Sequence, residues 1–300
     1  MKTLKQFQYF IAIVEHGSFT AASEQLFIAQ SALSRQIKML EEEIGFCLFD
    51  RTDKKIQLTA AGQSFYQKLK MHLLNIEHSI DAANSIAHGR GRCLQLAHSS
   101  SIVMDCIKIQ SLHKLCEKYT LEVEISTLSS EQQIEAVLNG RIDLGLIRPP
   151  TRRNLQDVHC AELYAQPLYA AVHQDDPFFQ HKDCISIAEL SQRQFVSTPH
   201  AERGGLSYLA ANLCINHGFY PQKSSIRSRK ACQLDLVDAG LGICIVPEEF
   251  RSQLPAAVKL IALDPAPAPS KVCLIWSKTA DEAVHQAAAE LQKSFIGADQ

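Results

Sequence analysis

Gln30, Ser31, Ser34, Arg35 and Lys38 are interleaved with Leu33, Ile37 and Leu40 at helical spacing. If the three apolar residues face inward, the five polar ones line the outer face of one helix. That set suits the edges of base pairs. An arginine can donate a bidentate pair to guanine and a glutamine one to adenine, each discriminating by about 1–3 kcal/mol. Ser31 and Ser34 are short enough to reach phosphates or base edges without holding the helix away. Arg51, Lys54 and Lys55 follow in a polar turn, where cations supply phosphate affinity but little sequence information. Over residues 1–60 acids balance bases, yet residues 30–40 hold no acid and Glu41, Glu42 and Glu43 gather at the far end. Double-stranded DNA is the expected partner; a plain helical bundle with solvated charges is the competing reading.

A second set of polar residues stands at the ends of apolar runs. His98-Ser99-Ser100-Ser101 follows Leu94-Gln95-Leu96-Ala97, Ser130 precedes an amphipathic stretch, and Arg148 follows residues 142–147. Open α/β sheets bind ligands at the carboxyl ends of their strands, and a helix start offers N–H groups to an anion. Ser99, Ser100 and Ser101 at a helix start, the Ser130 hydroxyl and a bidentate Arg148 would together receive a small organic acid. Thr198, with His200 and Leu206 nearby, would close over it from a second lobe. Ordinary helix caps and a solvated arginine are the competing reading.

Catalysis finds no support. The three serines could form a nucleophile cluster, but no histidine or acid has a sequence-defined relation to them, and there is no nucleophile elbow or phosphate loop. An enzyme on a two-lobed fold is therefore the weaker alternative. Neither HExxH nor CxxC occurs, so no metal or other cofactor is implied. The ten cysteines are scattered singly and mostly among apolar neighbours. In a reducing compartment they are expected to be small buried hydrophobes. A thiol-redox-responsive protein on the same fold would instead draw on Cys184, Cys214, Cys232 and Cys244.

Short helices must carry the first set. Leu4 to Val14 recur at helical spacing and stop at Gly17, Ser18 caps a second helix, and the third runs from about Gln30 to Ile44. Leu48-Phe49 and Ile56-Gln57-Leu58 flank the basic turn as a hairpin, or wing. Thr59 then caps a long helix reaching about His88, in which Leu69, Leu73, Ile76, Ile80, Ala83 and Ala87 alternate steps of four and three; such a seam calls for a partner helix. Beyond the hinge at residues 89–92, strands alternate with helices. Strands are expected at 94–97, 121–127 and 142–147, with helices from about Ser101 to Tyr119 and from Glu131 to Leu138. This rhythm predicts a mainly parallel sheet. A second set follows: 169–173, 195–198, a helix 206–216, 234–237 and 242–246. The last strand, 272–276, and a helix 281–295 are expected to return to the first lobe.

The fold class is therefore α/β: an all-α winged helix-turn-helix (1–59), a linker dimerisation helix and hinge (60–92), and a two-lobed α/β domain (93–300). Lobe I takes 93–163 and 269–300, and lobe II takes 164–268. Three hundred residues suffice for two or three cores, and a net charge of -2 leaves any DNA contact to local charge placement. No apolar run approaches the roughly 18 residues of a membrane span, and residues 1–4 begin no signal core, so a cytoplasmic protein without a membrane partner is expected.

The residues above resemble the N-terminal signature of the LysR family of transcriptional regulators. The match comprises residues 10–14, Gly17-Ser18-Phe19-Thr20-Ala21-Ala22, Leu26, Gln30, Ser34-Arg35-Gln36-Ile37, Leu40-Glu41, Gly45, Leu48-Phe49, Arg51 and Leu58-Thr59-Ala60-Ala61-Gly62. Residues 139–145, 216–219 and 237–247 resemble that family's effector domain more loosely. The resemblance implies a periplasmic-binding-protein-like effector domain, linker-helix dimers that usually pair into tetramers, promoter sites of dyad symmetry, and RNA polymerase as a further partner. It also implies that Gln30, Ser31, Ser34 and Arg35 read or position DNA, with Arg51 on the wing. Ser101, Ser130 and Arg148 match effector-contacting places in members that sense aromatic-derived acids. Two departures stand out: Ala29 replaces a capping Ser or Thr, at a cost of up to about 1 kcal/mol, and Arg229 replaces an acid found in some relatives.

Overall fold

The computed structural model describes residues 4–50, 57–87, 92–197, 204–228 and 232–296. It divides into two compact units, Met1–Asp81 and Ala82–Gln300, the boundary falling within one long helix.

In the first unit, α1 (Leu4–His16), α2 (Phe19–Gln25) and α3 (Gln30–Ile44) pack their apolar faces into one core around Phe10, Ile13, Leu33, Ile37 and Leu40. Ser18 accepts a hydrogen bond from the Ala21 N–H and so starts α2. Strands β1 (Phe49–Asp50) and β2 (Gln57–Leu58) pair antiparallel. The buried Glu41 carboxylate holds the first of them, accepting from the Leu48 N–H (2.7 Å) and the Phe49 N–H (3.2 Å). Thr59 Oγ1 accepts from the Gly62 N–H and opens α4 (Ala60–Ala87). A Cβ at Gly62 would lie 2.1 Å from the Leu48 carbonyl oxygen, so the wing docks on this helix only with glycine there.

The second unit opens with β3 (Arg92–His98), α5 (Cys106–Tyr119), β4 (Leu121–Thr127), α6 (Ser130–Leu138), β5 (Leu144–Ile147) and β6 (Val158–Gln166). Lobe II contributes β7 (Leu168–His173), β8 (Cys184–Ser186), β9 (Gln194–Phe195), α7 (Leu206–Asn216), β10 (Gln222–Lys223), α8 (Gln233–Asp238), β11 (Cys244–Pro247) and β12 (Val258–Asp264). The chain then adds β13 (Ser270–Ser277) to lobe I and ends in α9 (Glu282–Ile296).

Lobe I orders its strands β4-β3-β5-β13-β6. The first three are mutually parallel, but β13 runs antiparallel to both β5 and β6. Helices α5 and α9 cover one face and α6 the other, following the inside–outside alternation of each strand. Lobe II orders β11-β7-β12-β8, in which β12 and β8 are the parallel pair, and β9 pairs parallel with β10 in a separate small sheet. The expectation of a mainly parallel sheet is thus corrected: β6 and β12 are additional strands, and β13 re-enters lobe I from the opposite direction. Val103 of lobe I packs into the core of lobe II beside Val196, Leu234 and Val246.

The cysteine expectation is also corrected. Only Cys214, Cys244 and Cys273 are buried; Cys47, Cys106, Cys160, Cys184 and Cys232 are exposed. Apolar neighbours in sequence alternate faces in a strand, so they do not report the burial of the residue between them.

Candidate DNA-reading helix and effector site

Helix α3 starts at Gln30, where Ala29 supplies no side-chain cap, and ends at Gly45 in the left-handed conformation. Leu33, Ile37 and Leu40 are buried, while Gln30, Ser31, Ser34, Arg35 and Lys38 are all exposed along the opposite face. Lys38 lies 3.9 Å from Glu42, an exposed pair worth little. Phe27, in the turn before α3, is 94% exposed and has a left-handed backbone (φ 54°), an uncommon state for a bulky residue. Arg51 and Lys54 lie outside the described residues.

In the second unit Ser99, Ser101, Ser130 and Arg148 come together. Ser99 follows β3, its N–H donating to the Leu146 carbonyl. Its hydroxyl lies 3.0 Å from Ser101 Oγ, and both side chains are nearly buried. Arg148 Nε donates to Ser101 Oγ (3.3 Å), so one hydroxyl proton of the serine pair remains to donate onward. The Arg148 backbone N–H donates to Ser130 Oγ (3.2 Å). From lobe II, the Gly205 N–H donates to the Pro150 carbonyl, and a Cβ at Gly205 would lie 3.8 Å from Ser130 Oγ. Gly205 caps α7 without a side-chain acceptor. The start of α7 thus meets the start of α6 across the lobe boundary.

Three expectations change. The helix expected from Ser101 begins at Cys106, capped by Asp105, whose carboxylate accepts from the Lys108 N–H. Ser99 to Ser101 form a turn after β3 instead, and Ser100 points outward. Arg148 is not an open carboxylate clamp. It is 0% exposed and its guanidinium is already occupied: Nη1 donates to Ser270 Oγ (2.7 Å), and Nη2 to the Ser101 carbonyl (2.9 Å) and to Glu249 Oε1 (2.5 Å). Burial lowers its pKa against the opposing pull of Glu249. Leu206 packs half-buried against the lobe II core, and Thr198, His200 and Arg229 lie outside the described residues.

Sequence reasoning missed Glu249, in the 3-10 turn after β11, and Tyr164 on β6. The Glu249 carboxylate is buried and also accepts from the Val103 N–H (3.2 Å) and the Tyr164 hydroxyl (3.3 Å), with Lys108 Nζ at 3.5 Å. Burial, reinforced by Glu249, raises the Tyr164 hydroxyl well above the usual phenol range. Their separation along the chain left no local signal. The four cysteines named for redox sensing are all free thiols: Cys214 and Cys244 are buried, which pushes both thiols up to about 12, while Cys184 and Cys232 are exposed. Among the described residues, no group of three metal-ligating side chains occurs, and no helix is long and apolar enough to cross a membrane.

A winged helix-turn-helix and a two-lobed α/β binding domain on one chain define a one-component transcription regulator. Comparison with known proteins gives the family. Residues 4–63 match the domain described as "Bacterial regulatory helix-turn-helix protein, lysR family", and residues 100–295 match "LysR substrate binding domain". The chain belongs to the LysR family. It is similar to the HTH-type transcriptional regulator BenM of Acinetobacter baylyi (31% identical over 256 residues, 83% of this chain and 81% of that one). It is also similar to the HTH-type transcriptional regulator AlsR of Bacillus subtilis (29% over 262 residues, 87% and 83%). Among solved structures, full-length CbnR complexed with its target DNA superposes with a TM-score of 0.77 at 23% identity (98% and 100% of the two chains). Full-length BenM gives 0.59 at 26% identity (99% and 98%). The chain is accordingly a ligand-responsive, DNA-binding transcriptional regulator of LysR type, a family whose members form oligomers.

Proposed function

We propose that this regulator reads a dyad-symmetric promoter site through Gln30, Ser31, Ser34, Arg35 and Lys38, assisted by Arg51 and Lys54. A small organic acid bound between the lobes at Ser99, Ser101 and Ser130 controls that reading. The observation that carries the effector half is the hydroxyl pair of Ser99 and Ser101, braced by an Arg148 whose backbone N–H meets Ser130, beside the start of α7. Hydroxyls and a helix N-terminus are anion donors that need no charge of their own. The resemblance of Ser101, Ser130 and Arg148 to effector-contacting positions supports the aromatic-derived acids as the class.

The chain acts without turnover. Ser101 hydrogen-bonds to Ser99 and to the Arg148 cation, and among the described residues no base bonds to either hydroxyl. The cytoplasm, where DNA is found, is the proposed location, and the domain bounds 1–59, 60–92 and 93–300 are retained.

Footprinting on candidate promoters, with and without a panel of small organic acids, tests both halves. At least one acid should alter the protection. Arg35→Ala should cost about 1–3 kcal/mol of specific affinity and relax preference at one base position per half-site. Protection insensitive to every acid, or an Arg35→Ala variant with unchanged sequence preference, would refute the corresponding half.

A further inference from the structure

Arg148 is an anion receptor that this chain already fills. Its side chain meets five acceptors: the Oγ and carbonyl of Ser101, the Oγ and carbonyl of Ser270, and Glu249. Four are neutral and belong to lobe I. The one carboxylate comes from lobe II, on the turn that follows β11. Glu249 is held there as a bound carboxylate ligand would be. One oxygen faces the guanidinium; the other takes the Val103 N–H, the Tyr164 hydroxyl and the Lys108 ammonium. Lys108 also pairs with Asp105 at 2.6 Å; burial raises the Asp105 carboxyl, but this pair together with the backbone N–H groups of Lys108 and Ile107 holds it below its usual pKa. Two cations and two carboxylates therefore cancel.

Stability alone does not explain this arrangement, because a buried Arg–Glu pair gains little over apolar residues of the same volume. What distinguishes it is placement. Among the described residues both direct cation partners of Glu249 belong to lobe I, and Arg148 also braces Ser101, one of the hydroxyls of the proposed effector site. The tie between lobes and the brace of the site are one guanidinium.

We propose that Glu249 is an internal competitor for Arg148: a carboxylate effector displaces it from the guanidinium and thereby unties lobe II from lobe I. This rests on the reading that the interlobe site takes an organic acid. It adds that the affinity of the site for carboxylates is set by a residue on the opposite lobe. A carboxylate at Arg148 and Glu249 at Arg148 exclude each other, so binding and untying are a single equilibrium with a defined sign.

Calorimetry on the full chain tests it, with benzoate and related aromatic and dienoic carboxylates as probes and benzamide as the neutral isostere of benzoate. E249Q keeps the side-chain shape and removes the competing charge. It should bind a carboxylate about tenfold or more tighter than wild type, the scale of one charge-assisted contact, while benzamide binding stays unchanged. The gain should vanish in R148Q/E249Q. Because E249Q leaves the buried Arg148 without its carboxylate and Lys108 with Asp105 alone, E249D serves as the second variant. It withdraws the carboxylate by one methylene and should shift carboxylate affinity in the same direction by less. If wild type binds a carboxylate and neither folded variant binds it more tightly, the competitor proposal is overturned and the interlobe site stands. If wild type and both variants bind none of the carboxylates, both fall.

Discussion

Cys160 illustrates how far one contact can change a side chain. The register of β6 against β13 sets Cys160 opposite Ile275, with Cys273 two positions away on the same strand. The Cys273 thiol donates to Cys160 sulfur and lowers the Cys160 pKa to about 7, while the same contact and burial raise that of Cys273. The thiolate is the nucleophile, so alkylation of exposed Cys160 by iodoacetamide should reach half its limiting rate near pH 7. An unperturbed thiol would do so at about pH 8.5. Cys273→Ala removes the donor and should return the midpoint toward that ordinary value, as site-resolved mass spectrometry can follow. A midpoint unmoved by Cys273→Ala would show that the thiol contact is not its cause. Such long-range pairs are what the amino-acid order hides. Ser101, Ser130 and Arg148 were legible because each follows an apolar run or opens a helix, and ligands gather there. Glu249 was not, since 101 residues separate it from Arg148. Without that partner the guanidinium reads as open when it is filled.

Elements were legible where periodicity is strong. Leu33, Ile37 and Leu40 recur at three and four, and α3 runs from Gln30 to Ile44 as expected. Strand β6 was missed because its buried residues do not alternate cleanly and only Pro167 divides it from β7. The helix expected from Ser101 was drawn too early because a serine run resembles a cap, whereas Asp105 makes the hydrogen bond. The seam of α4 is the clearest case of an element whose pattern asks for something outside the chain. Leu69 is buried in the first unit's core, but Ile76 is 41% and Ile80 54% exposed in the single chain, seven and eleven residues along the same stripe. A second copy of α4 would cover them. Ile80→Asp places a carboxylate in that seam with no partner, a cost on the order of several kcal/mol. Light scattering should show dimers dissociating, and site-specific DNA binding should fall with them because each half-site supplies only part of the contact energy. An oligomer of unchanged mass would remove α4 as the dimer contact.

At the scale of the whole molecule, the buried clusters sort by unit. Phe10, Ile13, Leu33, Ile37 and Leu40 form a core wholly within the first unit. The other four clusters lie wholly within the second, and one of them joins the lobes through Val103. The change from helical periodicity to alternating strands and helices near residue 92 separates the same two sets of core residues, although the compact units divide after Asp81. The contacts that join the lobes were not legible, because Val103 and Glu249 carry no motif. If each unit unfolds around its own core, scanning calorimetry should resolve two transitions. An organic acid bound between the lobes has affinity only for the folded second unit, so it should raise that transition alone. At 100 times its dissociation constant the linkage supplies about 2.7 kcal/mol. For a domain of this size that is a rise of roughly 5–10 °C. The helix-turn-helix transition should stay where it was, because no part of the proposed acid site lies in that unit. A single transition moved as a whole by the acid would mean that the units unfold together. An acid that raised the helix-turn-helix transition instead would place its site in the wrong half of the chain.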